Sequence, residues 1–407
     1  MKSQRKDVLV YTFQSLEDPL IKGLMLQYLI DISKGNMYRF HLITHEQKNF
    51  KLSATASKIK KIELEQLGII WYPLDYHTGK FLLIKKLLDF LKSFWICLRI
   101  RIIFRTKVII GFLPIAAGFS AILAPILRMK LVTYCFEPHS EYMSDFGIWS
   151  KKSLKYALLR KFERSQIEIS SDIIVPTTHT ERLTNRINPF ARKYVFPISI
   201  DTDKNIFDDL ARNRLRKQYL INNKTTLLYM GKFGGIYYGV PVLIDFLVKF
   251  HSLENYHVLI ISSDKQEIDS YITKKGLDQT FFTVLNYIPY ERIHEFISVA
   301  DFGLVAVPPL PSQKYRTPVK TGLYLACGIP YLINRGIAED DTIAERENVG
   351  VAVDDLINTD INLLHLSILK MLNDPSHHER CRNTAIKYRS HKQAVKVLDD
   401  ILKHHYI

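Results

Sequence analysis

Short apolar runs alternate along the chain with longer segments whose apolar residues recur every three or four positions. Short apolar runs are typical of buried strands, and the wider spacing is typical of amphipathic helices. Because strands that alternate with helices form parallel sheets, the pattern predicts an α/β protein built from two such halves. The predicted strands are 8–11, 40–43, 108–110, 131–134 and 172–175 in the first half, and 226–230, 257–261, 283–285, 302–307 and 331–334 in the second.

Length and composition agree with two folded domains. The 407 residues exceed what one ordinary hydrophobic core spans, and a hydrophobic content of 47% is that of a globular protein. Four cysteines are scattered without a C-x-x-C pair, which indicates neither a disulfide framework nor a zinc site and favours reduced thiols in the cytoplasm. The first residues run directly into an apolar strand, so no signal peptide is expected.

The stretch 316–330 has the signals of a short helix that follows a loop. Thr317 is predicted as the helix N-cap and Pro318 as its first residue. Arg316 and Lys320 then lie near the positive end of the helix, where backbone N–H groups and the helix dipole favour an anion. The stretch is a candidate phosphate site, and a capped amphipathic helix without a ligand is the simpler alternative.

This stretch also carries a family resemblance. Residues 317–328, T-P-V-K-T-G-L-Y-L-A-C-G, resemble the S-P-T-K-x-G-E-Y-L-A-C-G stretch of family 4 retaining glycosyltransferases. The resemblance implies the GT-B architecture, in which two Rossmann-like parallel-sheet domains face each other across a cleft. It further implies an acceptor-side domain, a linker, a nucleotide-sugar-binding domain and a C-terminal helix that returns to the first domain. These four parts are expected at residues 1–196, 197–207, 208–388 and 389–407.

The resemblance implies that Lys320 lies in a donor site. A glycosyl donor leaves as a nucleoside diphosphate, so fixed cations and N–H dipoles must meet the charge that grows on the departing oxygen. We expect Lys320 to act catalytically in this way. One departure counts against the match, since the family's glutamate, which usually holds the donor ribose, is Leu323 here. The expected donor contacts of this stretch are Arg316, Thr317, Pro318, Val319 and the replaced position Leu323.

A second phosphate candidate is the turn 231–235, G-K-F-G-G, between a predicted strand and a predicted helix. Such turns let backbone N–H groups approach phosphate oxygens, and Lys232 adds positive charge as a second catalytic candidate. The turn resembles the family's G-S-L-G-G-W-Y variant, but Tyr237 stands where the fuller family pattern has a lysine. A purely structural turn is the alternative. The donor-binding candidates here are Gly231, Phe233, Gly234 and Gly235, together with Ile288 as a backbone contact to the nucleotide base.

Polar residues follow two predicted strands of the first half, where open α/β sheets bind ligands. His139 is expected to orient the donor sugar or relay a proton, with a solvated loop histidine as the alternative. The acceptor-binding candidates are Asp18, Glu137 and Glu141. The D-x-D sequence at 201–203 resembles the family's interdomain linker, so no metal site is predicted there, and no cofactor is implied.

The net charge of +15 suggests an anionic partner. No nucleic-acid-binding motif is found, so nucleic acid is not expected. The segment 80–107 holds eight Lys/Arg against the single acid Asp89, interleaved with apolar residues, as in helices that lie on anionic membranes. A helix packed on its own domain with a solvated basic edge is the alternative. The uncharged segment 108–127 is interrupted by glycine and proline, so we expect a buried βα unit there and not a membrane span.

These features together predict a retaining, metal-independent glycosyltransferase of the hexosyltransferase type. It would move a sugar from a nucleoside-diphosphate sugar to a glycan acceptor, and the family and the basic segment favour a lipid-linked glycan used in surface polysaccharide biosynthesis. The expected location is the cytoplasm, with peripheral association at the inner face of the cell membrane as a hypothesis. The alternative is a non-catalytic relative that binds a nucleotide sugar or a partner enzyme, because Leu323 and Tyr237 replace two polar residues of the family.

Overall fold

The computed structural model describes residues 5–77, 82–135, 138–253 and 255–406. The chain forms two compact units, one of Met1–Phe196 with His391–Ile407 and the other of Pro197–Ser390. Each unit contains one wholly parallel sheet, so the prediction of two α/β domains with parallel sheets is confirmed. Within the described ranges, no helix combines the length and the hydropathy needed to cross a membrane.

The first sheet has seven strands. They are β1 (Lys6–Thr12), β2 (Tyr38–Glu46), β3 (Ile69–Asp75), β4 (Val108–Phe112), β5 (Lys130–Tyr134), β6 (Asp172–Val175) and β7 (Arg192–Val195). Their order is β3-β2-β1-β4-β5-β6-β7, with Val10 of β1 opposite Leu42 of β2 and Ile110 of β4. The chain order reverses between β1 and β4, and such a switch point is where open α/β sheets bind ligands.

Helices cover both faces of this sheet. They are α1 (Leu26–Ser33), α2 (Ala54–Gln66), α3 (Leu82–Phe104), α4 (Pro114–Ile126), α5 (His139–Asp145), α6 (Leu154–Ile169) and α7 (Thr178–Ile187). The uncharged segment 108–127 is therefore a strand followed by a helix, as predicted. Leu113, which joins them, has φ 74° and ψ 154°, a conformation that is normally restricted to glycine and costs about 1–3 kcal/mol.

The second sheet has six strands. They are β8 (Thr225–Met230), β9 (Tyr256–Ile261), β10 (Phe282–Leu285), β11 (Phe302–Val305), β12 (Tyr331–Asn334) and β13 (Gly350–Val353). Their order is β10-β9-β8-β11-β12-β13, so this sheet has its own switch point between β8 and β11. The three strands β3, β7 and β13 were not among the strands predicted from the apolar runs.

The remaining helices complete the second unit and then return to the first. Those of the second unit are α8 (Asp209–Gln218), α9 (Val240–Leu247), α10 (Lys265–Lys274), α11 (Ile293–Ile297), α12 (Val319–Ala326), α13 (Asp340–Arg346), α14 (Ile361–Leu372) and α15 (His377–Arg389). The last helix, α16 (His391–Tyr406), belongs to the first unit. Its end is fixed there by His405, which lies 2.6 Å from a carboxylate oxygen of Asp172 on β6.

Candidate functional site

The topology of the second unit places two loops side by side at the carboxyl edge of its sheet. β8 and β11 are neighbours, and the glycine-rich turn 231–235 follows β8, while the loop that leads into α12 follows β11. The two stretches that the sequence singled out as phosphate candidates are thus brought to one switch point of one sheet, which is the usual ligand position in such folds.

Three backbone N–H groups of the glycine-rich turn are bound by acceptors of the protein itself. The N–H groups of Gly231, Phe233 and Gly234 donate to the carbonyl of Ile261, to Asp264 Oδ2 and to the carbonyl of Tyr238, at 3.0, 2.8 and 2.9 Å. These three amides therefore already have acceptors within the protein, contrary to the expectation that they face a phosphate. Gly231 has no side chain, and this leaves space for another residue of the site to approach the turn.

The start of α12 differs from the prediction by one residue. The helix begins at Val319 with Pro318 at the N-cap position, and no side chain caps it. The prediction that Thr317 is the N-cap was wrong, because Pro318 has ψ 132° and so still belongs to the extended loop. The hydroxyl of Thr321 instead donates to the carbonyl of Pro318 at 2.8 Å, which closes the first turn from within.

Lys320 points its ammonium group back into the site. A Cβ placed on Gly231 would lie 3.0 Å from Lys320 Nζ, so the glycine lets the ammonium approach the turn this closely. Nζ is buried and has no hydrogen-bond partner among the residues that the structure describes; its nearest ring is that of Tyr229, with 4.6 Å to the centroid. Burial, and to a lesser extent the charge of Arg316, lowers the pKa of Lys320 from 10.5 to about 7.

Arg316 is the second cation of the site, and Tyr237 orients it. Arg316 Nη2 donates to the Tyr237 hydroxyl at 3.1 Å, and the ring centroid of Tyr237 lies 5.7 Å from the guanidinium carbon and 5.8 Å from Lys320 Nζ. Two cations therefore flank one aromatic ring. The first turn of α12 adds backbone N–H groups that have no acceptor within the helix. An anion is the ligand that this arrangement favours.

Buried contacts beneath α12 hold it in place. Arg389 is almost fully buried; it forms an ion pair with Asp340 and donates to Thr321 Oγ1 at 2.7 Å. A Cβ on Gly322 would lie 2.6 Å from Ile200 Cγ1, so only glycine permits this packing of the helix on residue 200. The position of Lys320 is thus set by side chains that do not face the site.

The other donor candidates occupy different environments. Leu323, at the position of the family's glutamate, is 7% exposed and belongs to a hydrophobic cluster of the second unit, while Ile288 packs against that cluster. Val319 is 39% exposed. Lys232 and Gly235 are exposed, and the carbonyl of Lys232 accepts from the Tyr229 hydroxyl at 2.7 Å. The structure therefore brings Lys320 and Arg316 together with the glycine turn.

Three residues near this site were not predicted from the sequence. Tyr229 and Asp264 fix the glycine turn, and the side-chain amide of Gln313 is fully buried without a hydrogen-bond partner among the described residues. Asp264 follows β9 in the run S-S-D, which was a usable signal because such residues tie turns to backbone N–H groups. Tyr229 lies in a predicted strand and Gln313 in a loop, and neither residue carries a local signal of a role at the site.

The candidates of the first unit follow the carboxyl ends of β1 and β5, as predicted. Asp18 Oδ1 accepts from the backbone N–H of Leu20 at 2.9 Å, so its carboxylate orders the loop that precedes α1. His139 is the first residue of α5, and its ring lies 5.9 Å from that of Tyr142 and 6.0 Å from that of Trp149. Glu137 lies outside the described residues.

Glu141 is held by three side chains. Its carboxylate is 2.6 Å from Arg160, 3.2 Å from Lys151 and 2.6 Å from the Tyr156 hydroxyl. Partial burial would raise the pKa of Glu141, but the hydrogen bonds from Tyr156 and Lys151 and the charge of Arg160 outweigh it, so the pKa is lowered. These contacts join α5 to α6 and give Glu141 a structural use beside its predicted acceptor role.

The D-x-D sequence of the linker forms a local turn. Asp201 Oδ1 accepts from the N–H groups of Asp203 and Lys204, each at 3.2 Å, and Asp201 also pairs with the Lys204 ammonium at 3.0 Å. The carboxylate is therefore used within four residues, as in an Asx turn.

Comparisons with known proteins agree with this architecture. Residues 252–380 match the family model described as the glucosyltransferase 3-like, C-terminal domain. No curated protein matches the sequence. Among solved structures, Alr3699/HepE of Anabaena in complex with UDP is similar over 98% of this chain and 100% of its own, with a TM-score of 0.70 and 16% identity.

Two further solved structures extend the comparison. Sucrose-phosphate synthase of Thermosynechococcus elongatus is similar over 99% of both chains, with a TM-score of 0.72 and 15% identity. WaaG, a glycosyltransferase involved in lipopolysaccharide biosynthesis, is similar over 96% of this chain and 99% of its own, with a TM-score of 0.63 and 13% identity. The chain therefore has the GT-B fold, and its second unit contains a segment similar to the C-terminal domain of glucosyltransferase 3-like proteins.

Proposed function

We propose that the chain is a retaining glycosyltransferase that takes its sugar from a nucleoside-diphosphate donor and needs no metal ion at the diphosphate. The observation that carries the proposal is the buried ammonium of Lys320, which lies beside Gly231 and Arg316 and has no hydrogen-bond partner among the described residues. A buried cation without a partner costs free energy, and a bound anion removes that cost. HepE, which is similar in fold, is known in complexes with UDP and with UDP-glucose.

The site supplies positive charge where a diphosphate would need it. As the bond to the sugar breaks, negative charge grows on the departing oxygen, and Lys320 and Arg316 stabilise it together with the N–H groups of the first turn of α12. Lys232 extends this charge at the exposed side of the glycine turn. In a retaining reaction of the kind the family resemblance implies, the acceptor hydroxyl attacks the face from which the diphosphate leaves, and a phosphate oxygen takes its proton.

The first unit is proposed to bind the acceptor at the carboxyl edge of its sheet. Asp18 lies on the loop after β1, His139 is the first residue of α5, and Glu141 holds α5 on α6. We propose a lipid-linked glycan used in surface polysaccharide biosynthesis as the acceptor, reached from the cytoplasmic side. The proposed lipid-linked acceptor is supported by the family resemblance and by the basic segment that contains α3.

The test is transfer or donor hydrolysis by the purified protein over a panel of nucleotide sugars. Lys320→Ala is expected to lower turnover about a hundred- to a thousandfold, as the loss of one stabilising donor typically does. Lys314→Ala is the matched control, because Lys314 lies on the same loop with its ammonium over the ring of Tyr315. Unaltered turnover in Lys320→Ala would remove Lys320 from the mechanism.

A second candidate is a relative that binds a nucleotide sugar without transferring it. The place of Leu323 in the hydrophobic core favours this candidate, because the ribose-binding glutamate of the family is absent and Leu323 faces other apolar side chains. Calorimetry separates the two functions. Nucleotide-sugar binding without turnover on any acceptor would favour the binding protein.

A further inference from the structure

The helix α3 has large apolar residues on its exposed side as well as on the side that packs against the core of the first unit. Its buried side carries Asp89, Ser93, Cys97 and Ile100, so two of the inward residues are polar. Its outward side carries seven large apolar residues that are between 42% and 67% exposed. These are Ile84, Leu87, Leu88, Leu91, Trp95, Ile102 and Ile103.

The outward apolar residues form a continuous surface along the helix. Five of them recur at spacings of four, three, four and seven residues, which places them on one face of an α-helix. We call Ile84, Leu88, Leu91, Trp95 and Ile102 the α3 face. Contiguous exposed apolar surface of this kind marks an interaction site.

The exposed charges that α3 and the residues after it carry are positive. Lys92 and Arg99 are exposed on one flank of the face, and Arg105 and Lys107 follow the end of the helix. The single acid of the helix, Asp89, is turned inward and pairs with Lys86 at 3.5 Å and with His77. Its negative charge is therefore neutralised away from the surface.

We propose that the α3 face lies in the interface of an anionic lipid membrane. The apolar residues would enter the boundary between headgroups and acyl chains, while Lys92 and Arg99 contact anionic headgroups. The charge selects this partner over a second copy of the chain, because two cationic α3 faces would repel each other. The helix lies on the membrane and does not cross it, since charged residues recur along its length.

This inference does not depend on the proposed transfer reaction, and its test needs no turnover. The purified full-length chain is mixed with vesicles of phosphatidylcholine alone or with added phosphatidylglycerol, and binding is followed by sedimentation and by tryptophan emission. We expect binding only to the vesicles that contain phosphatidylglycerol, weakened by salt, with a blue shift that disappears in Trp95→Phe. Of the three tryptophans, Trp95 is 65% exposed, Trp149 is half-buried and Trp71 is buried, so the loss of the shift in Trp95→Phe assigns it to the α3 face.

Matched variants distinguish membrane binding through the α3 face from nonspecific adsorption of the protein to vesicles. Leu88→Gln with Leu91→Gln is expected to weaken binding about a hundredfold, at roughly tenfold for each half-exposed leucine. Ile59→Gln with Ile62→Gln is the control, because these residues of α2 are 54% and 58% exposed but lie outside the α3 face. The proposal would be overturned if the leucine variant bound either type of vesicle as strongly as the wild-type protein does.

Two other outcomes would also overturn it. One is the absence of binding to both kinds of vesicle. The other is self-association in the absence of lipid that is lost in the same leucine variant, which would assign the α3 face to a second copy of the chain. The charge variant Lys92→Gln with Arg99→Gln is expected to reduce the preference for phosphatidylglycerol, whereas Lys58→Gln on α2 is expected to leave it unchanged.

Discussion

Replacing Lys320 by methionine is expected to make the free protein more stable. Methionine has a similar length and an apolar side chain, so it can occupy the space beside Tyr229 and Gly231 without carrying a charge there. The pKa of Lys320 falls from 10.5 to about 7 on folding, which corresponds to a penalty on the order of 4–5 kcal/mol for the charged form. We therefore expect a net gain of about 4–5 kcal/mol at pH 6, where the folded and unfolded chains both carry the proton.

The gain should depend on pH in a defined direction. Below pH 7 the folded and unfolded chains both carry the proton on Lys320, and the full penalty is present. Between pH 7 and pH 10.5 only the unfolded chain binds that proton, so the wild-type protein recovers stability as the pH rises. The difference between variant and wild type is therefore largest at pH 6 and shrinks toward zero near pH 10.5.

Urea unfolding of both proteins at several pH values measures this difference. Comparison at each pH removes the contribution of the other titrating groups. Lys314→Met is the control, and we expect it to change the free energy of unfolding by less than about 0.5 kcal/mol at every pH. A destabilised Lys320→Met protein, or a difference that does not vary with pH, would refute the reasoning, because the ammonium would then have a structural partner.

Three further predictions follow from the same site. Gly231→Ala should weaken UDP binding at least tenfold in calorimetry, because φ of this residue is 146° and the new methyl group would meet Lys320 Nζ. The control is Gly276→Ala, which should leave UDP binding unchanged, because Gly276 has φ 64° but open space around it. Leu323→Glu should lower the free energy of unfolding by about 2–4 kcal/mol in urea without strengthening UDP binding; tighter binding would show that residue 323 faces the nucleotide. Arg389→Met should cost about 3–5 kcal/mol of stability, since it leaves a buried carboxylate unpaired, and a value below 1 kcal/mol would contradict that role.

Much of the fold was predictable because its strands are buried on both faces. β1 and β4 are runs of apolar residues that only a parallel sheet covered by helices accommodates. Two of the three missed strands have features that weaken this signal. β3 contains Pro73, which an edge strand tolerates, and β7 is the polar sequence R-K-Y-V at the other edge of the sheet.

The candidate site was predictable only in part. Arg316 and Lys320 were found because a helix start after a loop has a local signature. The burial of the Lys320 ammonium could not be predicted, since it depends on Tyr229 and Tyr237, which reach the site from β8 and the loop after it. The sequence also did not predict which side of α3 faces the core, because apolar residues occur on every side of that helix.

The most direct test of the account is a calorimetric titration with UDP at pH 8, repeated in buffers of different ionisation enthalpy. At this pH the free Lys320 is mostly neutral, because its pKa is about 7, and a bound diphosphate would restore its charge. We predict the uptake of close to one proton for each UDP bound by the wild-type protein and far less in Lys320→Met, together with weaker binding. UDP binding of equal strength in both proteins, without proton uptake in either, would contradict the claim that Lys320 is the diphosphate-binding cation.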